Sequence, residues 1–212
     1  MDIQFGTLQH EEIKAAADIA ARAYQDYDYV TLYFPDAEER RRGLQAFMNC
    51  LTKTNFGRAD MLAARQDGRL VARATLEAPG YQKPSLLQYI LHGGLRIYLA
   101  ANWHRANGFM AMDEAACKPC HDYQQAGQNV WYLSMIEVEP SVQGQGIGTK
   151  FLAYLEDYVR EHGGKEFILF TNSRDNLAWY TKCGYELFHE CVIEHDGRKI
   201  GSWSLRKMLR KE

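Results

Sequence analysis

The 212-residue sequence has no long uninterrupted apolar run. Its longest apolar region, 85–101, is broken by His92, Gly93, Gly94 and Arg96, so it is not expected to span a bilayer. The N-terminus lacks the basic-then-apolar pattern of a secretory signal. No excess of one charge sign exists: the net charge is −2, with Lys and Arg scattered. That argues against a nucleic-acid surface and against attraction to a membrane. Five cysteines, an odd number, do not form a disulfide framework, and a reducing cytoplasm is the expected location. Repeats and low-complexity segments are missing too. The hydrophobic share of 46% excludes a disordered chain, and the length fits one domain, 1–212, with a substantial core.

The rest of the chain is organised around the stretch 136–152, IEVEPSVQGQGIGTKFL. An apolar run ends at Val138, Pro140 and Ser141 make a turn, and Gly144, Gly146 and Gly148 follow at alternate positions. Ile147, Phe151, Leu152, Leu155, Tyr158 and Val159 then fall on one helical face. The pattern predicts a strand, a glycine-rich loop and a helix. Glycines let backbone approach a ligand, and the unpaired N–H groups of a helix start attract phosphate. A pyrophosphate cradle follows. It is not a P-loop, because Gly148-Thr149-Lys150 reverses the required Lys-Ser/Thr order. Nor is it a dinucleotide fingerprint, because the glycines read G-x-G-x-G.

Gln143, Gly146 and Gly148 fill Q-x-x-G-x-G after a strand ending in Val-x-Pro. This resembles the coenzyme A loop of the GNAT superfamily of N-acetyltransferases. Downstream, Asn176, Tyr180, Gly184 and Tyr185 follow a buried-strand pattern over 165–171, and are similar to that family's N-x-x-x-Y-x-x-x-G-[FY] segment. The resemblance is specific over 131–189 and holds elsewhere in outline. The early Phe34-Pro35-Asp36, a helical insert and Trp131-Tyr132-Leu133 look like the branch containing puromycin-type N-acetyltransferases.

Other elements read from local pattern. A strand over 3–8 and a helix over 10–24 precede an aromatic interhelical loop, 24–34. Asp36 caps the next helix, with Glu39 in the capping-box position. Strands 59–66 and 69–77 flank Asp67-Gly68, a hairpin signal, and strands 185–194 and 199–209 flank Asp196-Gly197. The region 79–129, with breakers Gly80, Pro84, Gly93-Gly94 and Pro119, predicts two or three helices covering one end of the sheet. The expected fold class is α+β (mixed α/β): a GNAT fold with a central twisted, mostly antiparallel sheet flanked by helices and a helical insert between strands 3 and 4.

The resemblance implies an acetyl-CoA-dependent N-acetyltransferase acting on a primary amine, of a small molecule, by direct transfer in a ternary complex. The rivals are acetylation of a protein N-terminus or lysine, and a non-catalytic acyl-CoA sensor. It implies that backbone at Ile136, Glu137 and Val138 pairs with pantetheine, with an oxyanion donor near Val138. Gln143, Gly144, Gln145, Gly146, Ile147, Gly148 and Thr149 would hold the pyrophosphate, and Asn176 the pantetheine arm. Tyr180 would protonate the departing thiolate, since a phenol with a pKa near 10 is protonated at neutral pH. By position alone, Tyr180 also reads as a core aromatic. Many relatives carry a carboxylate where this chain has Ser134. Strict alternation puts Glu137 on the opposite strand face, unless a bulge turns it. Glu77, Asp28 or a water on Ser134 remain as bases. The aromatic segment 24–34, Tyr27 and Tyr29 above all, is expected to wall the acceptor pocket together with the insert.

Cys117-x-x-Cys120-His121 has the spacing of a c-type haem attachment but no export signal, and as a zinc site it lacks a well-spaced fourth ligand. Free thiols are expected, no metal, and His104 and His121 solvated or in the substrate cleft. The protein is expected to act as a monomer or homodimer.

Overall fold

The computed structural model describes residues 2–209. Seven strands, β1 (Ile3–Thr7), β2 (Asp60–Gln66), β3 (Arg69–Glu77), β4 (Val130–Val138), β5 (Glu166–Thr171), β6 (Glu186–His195) and β7 (Arg198–Met208), form one sheet in the order β1-β2-β3-β4-β5-β7-β6. All neighbours are antiparallel except β4 and β5. Among the described residues eight α-helices accompany them: α1 (Ile13–Ala23), α2 (Asp28–Tyr33), α3 (Ala37–Asn55), α4 (Leu86–Leu91), α5 (Leu95–Ala100), α6 (Trp103–Ala126), α7 (Ile147–Glu161) and α8 (Arg174–Lys182). Both hairpin turns form where the sequence predicts them. Asp67 and Gly68 take φ of +50° and +77°, and Asp196 and Gly197 +50° and +71°, the double left-handed pair that matches strand twist.

The apolar stripe of α7 sits on one face of the sheet, where Ile147, Phe151 and Leu155 meet Leu133, Phe167 and Leu205. The opposite face carries α1, α2, α3 and α6 in a second core that includes Ala20, Tyr33, Leu44, Phe109 and Met112. Farther along α6, Cys117 and Cys120 pack on Val130, Tyr132 and Ile168. Among the described residues no helix is long and apolar enough to cross a membrane.

Three expectations need correction. The 24–34 aromatic loop contains a helix, α2, because Tyr29, Val30 and Tyr33 bury one side of it against α6. The insert comprises α4, α5 and α6, but α6 packs across the sheet face over β4 and β5 instead of covering one end. Its Pro119 does not interrupt it; the break falls at Gly93-Gly94, between α4 and α5. Finally, Asp36 caps α3 by accepting from the Glu39 N–H at 2.7 Å, yet no capping box closes. The Glu39 carboxylate turns outward to Arg105 and the Asn102 N–H, tying α3 to the start of α6.

Candidate active site

The site grows from the parallel pair. β4 pairs with β5 only through Val130–Leu133 against Glu166–Leu169. Beyond Leu133 the strands diverge, and β4 from Met135 to Val138 keeps its β3 partners but has none on the β5 side. Glu139 donates its N–H to Val71 of β3 at 2.8 Å. Strand N–H groups alternate in direction, so the N–H of Val138 points into the opening. Gln143 Nε2 meets the Val138 carbonyl there at 3.0 Å. A cavity of about 580 Å³ fills the wedge.

The glycine loop closes one end of that cavity. Gly146 caps α7 with φ of +75°, and Gly144 stands at +78°, backbone that side chains resist. The first helical bond runs from the Lys150 N–H to the Gly146 carbonyl, so the preceding N–H groups of Gly146 to Thr149 start the helix without intrahelical partners. A Cβ at Gly144 or Gly146 would meet no protein atom within 4 Å, and at Gly148 it would make only ordinary contact, 3.6 Å from Val138. The loop is therefore open toward the cavity, and this donor set on a helix N-terminus suits a pyrophosphate.

Tyr180 lies on α8, capped by Ser173 accepting from the Asn176 N–H. It is buried, lines the cavity, and no donor or acceptor among the described residues reaches its hydroxyl. Burial, with Tyr27 and Glu137 adding to it, pushes its pKa far above the ordinary phenol value, so the hydroxyl stays protonated. Trp179 beside it approaches Thr149 Oγ1 at 3.3 Å and joins α8 to α7 across the mouth.

At Ser134 the strand bulges: Thr75 faces Met135, Leu76 faces Leu133, and Ser134 has no counterpart. Ser134 donates its hydroxyl to the Thr75 carbonyl at 3.2 Å. The extra residue overturns strict alternation. Ile136 and Val138 stay on the α7 side with Leu133, while Met135 and Glu137 turn to the side of Ser134. Glu137 and Arg73 form a fully buried ion pair there, with Nε 2.9 Å from Oε2 and Nη2 donating to Oε1 at 3.1 Å. Only the second contact has hydrogen-bond geometry. Burial raises the Glu137 carboxyl against the pull of Arg73.

A second cavity, of about 170 Å³, adjoins the first and shares Tyr24, Tyr27, Ser134, Met135 and Phe170 with it. It lies under the insert. Glu77 and His121 meet across it at 3.3 Å, and Tyr29 donates its hydroxyl to Asp113 at 3.2 Å. Tyr27 is held by Thr171 and the Asn172 N–H at the end of β5.

Most sequence-derived residues therefore converge. Ser134, Ile136, Glu137, Val138, Gln143, Gly144, Gly146, Ile147, Gly148, Thr149, Asn176, Tyr180 and Tyr27 line the first cavity. Gln145 is exposed and stands outside its lining, and Tyr29 lines only the second cavity. Asp28 is exposed in another surface depression near Cys191, so it leaves the set of candidate bases. His121 is in the second cavity, whereas exposed His104 lies against Trp103 with its ring tilted by 32°. Cys117 and Cys120 point into the core, and all described cysteines are free thiols. The sequence reading singled out neither Trp179 nor Asp113, and Tyr24 entered it only as the start of the aromatic segment expected to wall the acceptor pocket. Trp179 sits inside the quoted Asn176–Tyr185 motif, and Tyr24 begins the aromatic run, but Asp113 gives no sequence signal.

A family model described as "Acetyltransferase (GNAT) family" matches residues 27–185. No curated protein matches the chain in sequence. Among solved structures, the chain is similar to a Drosophila melanogaster polyamine N-acetyltransferase, at 16% identity and a TM-score of 0.60, covering 98% of this chain and 100% of that one. It is similar to the ribosomal-protein-S18-alanine N-acetyltransferase of Escherichia coli, at 13% identity, 100% and 96% coverage and a TM-score of 0.58. A third is a PaiA N-acetyltransferase from Thermoplasma acidophilum in complex with coenzyme A, at 14% identity, 98% and 99% coverage and a TM-score of 0.52. At such identities these likenesses speak for the fold. With the family match spanning the splayed strands, the glycine loop and α8, the chain belongs to the GNAT family and is an acetyl-CoA-dependent N-acetyltransferase.

Proposed function

We propose that the protein moves the acetyl group of acetyl-CoA to the primary amine of a small molecule, by direct transfer with both substrates bound. The junction of the two cavities at Ser134 carries this reading: an open, backbone-lined wedge meets a compact, side-chain-lined pocket at the bulge. The N–H groups of Gly146 to Thr149 hold the pyrophosphate, and the free edge of β4 pairs with the pantetheine arm beside Asn176. The Val138 N–H faces the thioester oxygen as it gains charge.

The neutral amine nitrogen adds to the thioester carbonyl carbon. As the carbonyl re-forms, the C–S bond breaks and the sulfur takes the phenolic proton of Tyr180. The proton lost by the amine passes to Glu77, on β3 beside the bulge, directly or through water on Ser134. His121 holds the other side of that carboxylate. Proton exchange through the cavities restores both groups. The small volume of the second cavity supports a small acceptor over a peptide. The unpartnered Tyr180 hydroxyl supports catalysis over mere sensing. Both cavities are lined from one chain, so a monomer suffices.

The test is incubation with acetyl-CoA and a panel of small amines and peptides, reading thiol release and, separately, coenzyme A binding by calorimetry. Release with small amines is expected. Tight binding without release for any acceptor would leave the sensor reading, and release with peptides alone would move the acceptor class to proteins.

A further inference from the structure

The second cavity is more acidic than an uncharged acceptor requires. Glu77, Asp113 and Glu114 line it against one lysine, Lys83, and one imidazole, His121. Lys83 is half-exposed and already engaged by Glu114 at 2.8 Å, so that pair belongs to the rim. His121 faces Glu77. Among the described residues no cation is in ion-pair contact with Asp113: its contact is the Tyr29 hydroxyl. A part-buried carboxylate with no positive partner is costly. Burial accordingly pushes Asp113 up to about 6, with Glu114 adding to the shift and Tyr29, His121 and Lys83 opposing it.

A second observation points to the same spot. Tyr132 is 1% exposed and lines this cavity, yet among the described residues nothing bonds its hydroxyl. Glu77, whose side chain is 9% exposed, likewise presents Oε1 without a donor. Tyr29 and Tyr89 stand in the same wall, and aromatic faces attract cations. Two acceptor stations thus exist. Glu77 is beside the bulge, and Asp113 is on α6, with the Tyr132 hydroxyl among the same residues.

We infer that the acceptor is a dicationic amine, an aliphatic diamine or a close analogue. One ammonium sits at Glu77 to be deprotonated and acetylated, and a second stays charged at Asp113. This rests on the acetyltransferase reading of the same site. The far cation supplies the partner Asp113 lacks, and it fixes the chain so that the near nitrogen meets the thioester.

The test compares 1,5-diaminopentane, pentylamine, 5-aminopentan-1-ol and 5-aminopentanoate as acceptors, with 1,4-diaminobutane to allow for length. Acetyl transfer is measured for the wild type and for Asp113→Asn, whose folding is checked by thermal melting. Calorimetry of each amine against the coenzyme A-bound protein gives a readout independent of turnover. The expected result is a kcat/KM for a diamine at least about tenfold above pentylamine and the alcohol, with the amino acid worst. The Asp113→Asn diamine-to-pentylamine ratio should fall about tenfold. Equal kcat/KM for diamine and pentylamine in the wild type overturns the inference while leaving the acetyltransferase intact. An unchanged ratio in folded Asp113→Asn overturns it too. Diamine binding that depends on Asp113, with no amine acetylated, sustains the dicationic site and defeats the transfer reading; absence of both binding and transfer defeats both.

Discussion

The two cavities are built by opposite means. The wedge between β4 and β5 is mostly backbone: a free strand edge, a helix N-terminus and glycines at φ of +78° and +75°. The pocket beneath the insert is side chains gathered from separate elements, with Tyr29 from α2, Glu77 from β3, Asp113 and His121 from α6 and Tyr132 from β4. In the proposed reading, backbone holds the acetyl donor, and it needs only a loop of the right shape. Side chains would select the acceptor, and they can be exchanged one at a time without disturbing the wedge.

The sharpest division between the two is tested at Tyr180, which lines the wedge and is proposed to act on the reaction. Tyr180→Phe should lower kcat by about 10²–10⁴-fold with coenzyme A affinity and melting temperature nearly unchanged. Because burial raises its pKa, the wild-type rate should show no loss from Tyr180 ionisation as pH rises to 10, about the ordinary phenol value. A folded, tightly binding Phe variant with normal kcat would return Tyr180 to the core.

Next in size is the loop itself. Gly146→Asp adds a side chain at positive φ and a negative charge where anions should sit, so calorimetry should show coenzyme A affinity down by about a hundredfold or more. No described protein atom lies within 4 Å of that Cβ, so the fold should survive. Unchanged affinity would break the assignment of the wedge.

At the wall of the first cavity, which Glu137 lines, the Arg73–Glu137 pair tests whether the buried strand face is held by charge or by packing. Arg73→Met strands a buried carboxylate and should cost about 3–5 kcal/mol in denaturant unfolding, whereas Arg73→Met with Glu137→Leu should recover most of it. If the double variant is no better than the single, packing dominates.

The smallest effect tests the acceptor pocket away from catalysis. Asp113 has a folded pKa above its unfolded one, about 6 against an ordinary 3.8. The unfolded chain therefore releases the proton first as pH rises, and stability is lost between about pH 4 and 6. Asp113→Asn should thus be more stable than the wild type by about 1–3 kcal/mol at pH 7, and the advantage should vanish below about pH 4. An equal or lower stability at pH 7 would mean that Asp113 is not strained.

What could be read from the sequence follows the same division. The wedge shows in a short local pattern, because the glycine spacing, Pro140 and the stripe of α7 dictate strand, loop and helix within seventeen residues. The hairpins at Asp67 and Asp196 are equally local. Asp113 and Tyr132 become neighbours only through the crossing of α6 over β4, which no spacing records. The fate of 24–34 was hidden for a related reason: six residues of α2 are too few for a periodic signal, and burial against Phe109, far along the chain, decides their conformation. Glu39 matched the capping pattern, yet Arg105 offered a stronger partner from another helix.

The single residue inserted at Ser134 acts as a phase shift in the side-chain code of β4. Upstream, even-numbered residues face the side of the sheet that carries α1 and α6; downstream, odd-numbered ones do. Ser134 and Met135 consequently present adjacent side chains to the same compartment, which a regular strand cannot do. Deleting Ser134 would alter the composition trivially, but it would force one half of the strand out of phase. Either Trp131 and Leu133 would exchange sides with Tyr132, or Ile136 and Val138 would exchange sides with Glu137. The strand thus carries two reading frames, one set by packing against α6 and one by the wedge, and a single serine keeps both in register.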